Sequence, residues 1–201
     1  MFDGTYPYEH SPRDMSQTVA MKLRPLRWPA DADALRDLPA AYSTSAIFVP
    51  EVDGLGVRLR ETRLRVPFAK TYPAETLLEA AATASFAVVA EAAAGGLAGF
   101  TAVQLRPWNR SAELSALFVA PDSRGQGLGR ALMLAAIEFA RGERVRCLTL
   151  ETQCTNAPAI RFYQRAGFQF CGVHTALYDP ATVAPEEAAV FFTYPLDAVG
   201  G

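Results

Sequence analysis

Arg124-Gly125-Gln126-Gly127-Leu128-Gly129 sets glycines at alternate positions immediately ahead of an apolar-periodic stretch. A residue without a Cβ lets backbone come close to a ligand, and amides at a helix N-terminus, aided by the macrodipole, form a place for an anion. Arg124 and Arg130 add fixed positive charge on either flank. The chemistry predicted is phosphate binding, with a pyrophosphate as the natural guest. A dinucleotide fingerprint requires a third glycine at position 130, where Arg130 stands, and a P-loop requires Gly-Lys-Ser/Thr, which is absent. A glycine-rich turn that only permits tight packing is the competing reading of this segment.

Such a loop works only if a strand delivers it and a helix follows it. Ala112 to Val119 is apolar enough for a buried strand, Ala120-Pro121-Asp122-Ser123 breaks it, and Gly127 to Arg141 carries Leu128, Ala131, Leu132, Ala135 and Phe139 at helical spacing. Arg146 to Glu151 reads as a further strand. Asn156 then suits a helix N-cap, Pro158 the first turn and Gly167 the stop, which gives a helix of about three turns. Phe168 to Thr175 and Ala189 to Tyr194 supply two closing strands.

Upstream, Met21 to Arg27 begins to alternate, Asp31 to Leu38 is a short helix, and Ser43 to Pro73 mixes turns with one strand-like run, Val57 to Glu61. A helix near Ala74 to Ala82 precedes Phe86 to Ala90 and Gly99 to Leu105, which flank Gly95-Gly96 as a hairpin. Strands and helices alternate only partly, which predicts a mixed α/β sheet with helices on both faces. Residues 1–20 show no periodicity and read as a flexible extension before a single domain over 21–201.

Composition narrows the function classes. Half the residues are hydrophobic, and 19 basic against 21 acidic residues give a net charge of -2. No Lys/Arg cluster interleaves with aromatics, so nucleic acid is not an expected partner. Cys147, Cys154 and Cys171 lack the paired spacings of a zinc site or a disulfide framework and read as core thiols; His10 and His174 are too isolated for a metal cluster. No metal is expected. No apolar run has the length of a membrane span, so no membrane association and a cytoplasmic location are the expectations.

The stretch Leu117 to Gly129 resembles the acetyl-coenzyme A loop of the GNAT superfamily, with Arg124, Gly127 and Gly129 filling its Arg/Gln-x-x-Gly-x-Gly/Ala pattern. Asn156 to Phe168 resembles the second motif of the same superfamily, in the right order. The likeness implies a GNAT fold: a single central, mixed but largely antiparallel sheet of about seven strands, splayed in the middle, with acetyl-coenzyme A wedged between two parallel strands. By that resemblance Leu117 and the amides of Phe118 and Val119 meet the pantetheine arm. Arg124, Gly125, Gln126, Gly127, Leu128, Gly129 and Arg130 grip the pyrophosphate, and Asn156 and Ala159 hold the cofactor from the other side.

Acetyl transfer from a thioester to an amine needs a neutral amine, a stabilised oxyanion and a proton for the departing thiolate. Tyr163, matching a tyrosine with that role in many members, is the candidate acid. Glu151 lies twelve residues earlier, a spacing similar to that of the ribosomal-protein acetylases, and ranks first as base. Glu113, on the face of its strand shared with Ser115 and Leu117, ranks second and would work through a water. Either glutamate, alternatively, only orients substrate or faces solvent. The oxyanion would rest on the Val119 amide.

Leu150-Glu151-Thr152-Gln153, Asn156, Pro158-Ala159, Tyr163 and Gly167-Phe168, with Trp108-Asn109 before them, resemble the streptothricin acetyltransferases more closely than a generic member. That likeness implies a small-molecule amine acceptor, the β-lysine amine of a cationic antibiotic, and a role in antibiotic resistance; it also admits a homodimer. Glu51, Asp53, Glu186 and Glu187 could attract such a cation. A protein or peptide N-acetyltransferase and a non-catalytic acyl-coenzyme A-binding module are the alternatives.

Overall fold

The computed structural model describes residues 22–93, 95–184 and 186–196. The expected extension over 1–20, and His10 within it, lie outside the described residues. The elements follow in the order β1 (Leu23–Pro25), α1 (Ala32–Arg36), β2 (Ala41–Asp53), β3 (Gly56–Thr71), α2 (Ala74–Thr83), β4 (Phe86–Glu91), β5 (Leu97–Arg106), β6 (Ser111–Val119), α3 (Leu128–Gly142), β7 (Cys147–Gln153), α4 (Ala157–Arg165), β8 (Gln169–His174) and β9 (Ala189–Pro195). Seven strands form one sheet in the order β1-β4-β5-β6-β7-β9-β8, while β2 and β3 form a sheet of their own. Every neighbouring pair in the large sheet is antiparallel except β6 with β7. The mixed, largely antiparallel sheet expected from the sequence is therefore present.

Alternation along β4 shows how the helices divide. Val89 points into a cluster with Leu35 and Leu38 of the α1 region and Leu77, Ala80 and Ala81 of α2. Its neighbours Val88 and Ala90 point into another, with Leu128 and Leu132 of α3. Successive strand residues face opposite sides, so α1 and α2 cover one face and α3 the other. A third cluster joins Met133 and Ile137 of α3 to Leu148 and Leu150 of β7, Ile160 and Tyr163 of α4, and Phe192 of β9. No helix among the described residues is long and apolar enough to cross a membrane.

The parallel pair is short. β6 and β7 are in register only over Ser111↔Cys147, Ala112↔Leu148 and Glu113↔Thr149, after which they part. Just beyond that point β6 carries a bulge: Ala102 faces Ala116 and Val103 faces Leu114, leaving Ser115 as the extra residue. A bulge bends the strand and locally raises its twist. The splay expected of this fold thus coincides with an irregularity in β6.

Two expectations need correction. The region Ser43 to Pro73 is a long hairpin rather than turns with one strand-like run, because Ala41↔Thr71 through Asp53↔Gly56 pair almost continuously. β3 is largely solvent-exposed and rich in arginine, so it lacks the apolar alternation that marks a half-buried strand. Cys171, expected in the core, is exposed, whereas Cys147 and Cys154 are buried. It is the extra residue of a bulge on β8, the last strand of the sheet, between Phe170↔Phe192 and Gly172↔Phe191.

α4 starts as the sequence predicts, with Oδ1 of Asn156 accepting from the amide of Ala159 at 3.2 Å and a proline in the first turn. Removing a side-chain N-cap costs about 1 kcal/mol. Asn156→Ala should therefore lower the melting temperature of the ligand-free protein by about 2–4 °C, read by thermal denaturation.

Candidate active site

The parting of β6 from β7 opens a cleft of about 490 Å³. Strand chemistry decides which backbone groups face it. The amide of Ala120 donates to the carbonyl of Ala98 at 2.9 Å, so Ala120 turns its backbone N–H toward β5, and by alternation Phe118 does so too. Leu117 and Val119 then point their amides the other way, where β7 has already left. The carbonyl of Val119 confirms the direction, since it accepts from Nε of Arg124 at 3.0 Å across the cleft mouth. Phe118 is thus corrected from the expected pairing: its side chain lines the cleft, but its amide belongs to the sheet.

Below the strand end lies the glycine loop. Gly125 and Gly127 have φ of +76° and +83°, a left-handed backbone that a residue with a Cβ adopts only at a cost. A Cβ built on either meets nothing within 4 Å, so open space lies above both. Gly127 caps α3 with no side-chain hydrogen bond. The amides of residues 125 to 130 find no acceptor among the described residues, whereas Arg124 N bonds Pro121 O and Ala131 N bonds Gly127 O on either side of them. Unsatisfied donors at a helix start, with open space above the loop glycines, match the needs of a diphosphate. Arg130 lines the cleft beside them. Arg124 lines it too, but its guanidinium is bound to the carbonyls of Val119 and Ala41, and burial lowers its pKa.

Gln126 and Leu128 do not line the cleft. Nε2 of Gln126 donates to the carbonyl of Asp122 at 3.2 Å, and the Leu128 side chain is buried against Leu132 and Ala98. What these two offer is backbone only. From the opposite wall, Asn156, Ala159 and Phe162 of the α4 region complete the enclosure.

Of the titratable candidates, Glu151 and Tyr163 both line the cleft. Tyr163 is 7% exposed. Its hydroxyl has no protein partner, yet no described buried side-chain polar atom is left unpaired, so the oxygen opens onto the cleft. Burial, followed by the nearby charge of Glu151, raises its pKa above the usual phenol value. Burial also raises the pKa of Glu151, opposed by a hydrogen bond from the hydroxyl of Tyr178. Glu113 is not a lining residue. Its Oε2 accepts from Nε and Nη2 of Arg106 at 2.9 and 2.7 Å, and the bulge at Ser115 ends the period-2 relation that would have put it on one face with Leu117.

Sequence reasoning missed one wall of the cleft. Tyr42 and Tyr72 line it, from β2 and from the residue after β3, with ring centroids 6.2 Å apart; Tyr72 packs edge-on against Phe118 at 5.2 Å. The Tyr72 hydroxyl donates to Gln153 and that of Tyr42 lies 2.8 Å from Oγ1 of Thr155. Further contacts fasten the hairpin beside the cleft: Phe48 N to Cys154 O at 2.9 Å, Arg161 with Glu61, and Lys70 with the buried Glu187. No local signal in the sequence joins Tyr42 to Tyr72, because the pairing of β2 with β3 is what brings them together.

The model of the Acetyltransferase (GNAT) family matches residues 57–168. A streptothricin acetyltransferase of Streptomyces lavendulae is 39% identical over 173 residues, covering 83% of this chain and 91% of that protein. The crystal structure of a nourseothricin acetyltransferase superposes with a TM-score of 0.79 at 38% identity, covering 88% of this chain and 99% of the other. A Bacillus anthracis structure in complex with acetyl coenzyme A has the same fold, with a TM-score of 0.72 at 18% identity. With its cleft, its amide-lined loop and these relatives, the chain belongs to the GNAT family and is an acetyl-coenzyme A-dependent N-acetyltransferase.

Proposed function

We propose that the acceptor is a primary amine of a streptothricin-type antibiotic, and that Glu151 and Tyr163 handle its protons within a single domain over residues 21–201. The observation that carries this reading is the pairing of a half-buried carboxylate and a buried phenol on one cleft, in a chain 39% identical to a streptothricin acetyltransferase. Acetyl-coenzyme A supplies the thioester. The unpaired amides of residues 125–130, with Arg130, hold its diphosphate; Leu117 and Val119 offer backbone groups to the pantetheine arm, and the Val119 amide receives the developing oxyanion.

Glu151 accepts the proton of the acceptor ammonium. Its raised pKa makes it a stronger base than an exposed carboxylate, and a burial-raised carboxyl is the usual way a fold brings such a group toward neutrality. Tyr163 gives its proton to the departing thiolate; its raised pKa keeps it protonated throughout the working range. The aromatic wall of Tyr42 and Tyr72, together with the carboxylate of Glu151, suits a cationic acceptor.

Three outcomes test the reading. Streptothricin, offered in a panel that includes peptide amines and simple diamines, should give the largest release of free coenzyme A; preferential turnover of peptide amines would replace the antibiotic assignment with protein acetylation. Tyr163→Phe should lower kcat by about 10²-fold while leaving acetyl-coenzyme A affinity nearly intact. Gly127→Val forces a side chain into the left-handed position and into the space above the loop, and should weaken coenzyme A binding at least about tenfold by calorimetry. A fourth concerns pH: since the base acts as the carboxylate and its pKa is raised, the rate should climb with pH through a limb lying above the ordinary carboxylate value of about 4.3, in a kcat profile at saturating substrates.

A further inference from the structure

Between β8 and β9 the chain carries a tyrosine that does not line the cleft, yet binds its carboxylate. The hydroxyl of Tyr178 donates to Oε1 of Glu151. Oε2 has no hydrogen-bond partner among the described residues. Backbone on both flanks of Tyr178 is held: Nδ1 of His174 accepts from the amide of Ala176 at 3.2 Å, and Oδ1 of Asp179 accepts from the amide of Ala181 at 2.9 Å. The Asp179 carbonyl further accepts from the amide and the hydroxyl of Thr182, at 2.9 and 3.0 Å. A side chain on a turn so fixed reaches its partner at little conformational cost.

We propose that Tyr178 is a positioning residue for the transfer: its hydroxyl locks one carboxylate oxygen of Glu151, holds the group in its charged form and leaves the second oxygen to the acceptor amine. The inference rests on Glu151 serving as the base. Other groups face Glu151 from each packed element. Glu113 from β6 and Glu187 from the stretch before β9 disfavour its charge, Lys70 from β3 favours it, and Tyr163 from α4 and Tyr72 from the residue after β3 stand by as neutral phenols. Glu113 is already paired with Arg106, and Lys70 with Glu187. The largest influence set against burial is the Tyr178 hydrogen bond.

A neutral donor suits this task better than a cation. An arginine or lysine against the carboxylate would depress its pKa by about 1–3 units and weaken it as a base, whereas a phenol supports the charge without a full countercharge. A phenylalanine at 178 would leave the carboxylate desolvated and without its donor, so its pKa must rise.

The test is the kcat-against-pH profile of the full chain at saturating acetyl-coenzyme A and streptothricin, for the wild type, Glu151→Gln and Tyr178→Phe. Glu151→Gln identifies the limb owed to the base by abolishing it; if the limb survives in that variant, Glu151 is not the base and the reading beneath this one fails. Given that limb, Tyr178→Phe should move it up by about one pH unit, which is about tenfold less turnover below the limb, with most of the rate returning at high pH and acetyl-coenzyme A affinity unchanged. A limb that stays in place in a folded Tyr178→Phe protein overturns the positioning role alone. Should that variant fold poorly, 3-fluorotyrosine installed at position 178, a more acidic donor of nearly the same shape, should move the limb down, and an unmoved limb again overturns the proposal.

Discussion

A backbone amide without a protein acceptor is a donor open to a ligand, and this fold concentrates such amides along one cleft. β6 and β7 share only three registered rungs, and beyond Glu113↔Thr149 the inward-facing amides of Leu117 and Val119 lose their strand neighbour. The loop that follows adds the free amides of residues 125 to 130. A ligand with carbonyl and phosphate oxygens matches what the missing strand and the open helix start leave unfilled. Under the proposed reading, binding of the acyl carrier completes a sheet and a helix that the chain itself leaves unfinished, and the bulge at Ser115 bends β6 where its ladder with β7 has just ended.

Desolvation acts on two groups of different acidity in the same cleft. It raises the pKa of both Glu151 and Tyr163. For a carboxylate the shift makes a better proton acceptor, and for a phenol it secures a proton that would otherwise begin to leave near pH 10. Under the proposed roles, one physical cause suits neighbouring side chains to opposite tasks.

The elements around the glycine loop were legible in the chain because they are contiguous, while their link to acetyl-coenzyme A came from the family resemblance. Strand, glycine loop and helix from Ala112 to Arg141 lie in one run, and Asn156 to Gly167 in another, so periodicity and capping residues were enough. The rest of the site was not, because it is assembled across the fold: Tyr72 reaches Gln153 over 81 positions and Tyr178 reaches Glu151 over 27. Glu113 misled for a local reason. Its face followed from strict alternation, and a single extra residue in β6 ended that alternation two positions later. β3 was opaque because an exposed strand carries no burial pattern, and Cys171 because a bulge turns out a side chain that composition alone would place inside.

The two-stranded sheet of β2 and β3 is fastened to the body along part of its length and free at its far end. Its strands exchange ladder bonds with each other and none with the seven-stranded sheet, and its far turn, with Leu55 fully exposed, stands clear of the body. Changes of length or composition at that turn cost only loop-closure entropy, which grows slowly with added residues. The outer half of this arm can therefore vary while Tyr42 and Tyr72 at its base, and the unpaired amides of residues 125 to 130, stay where they are.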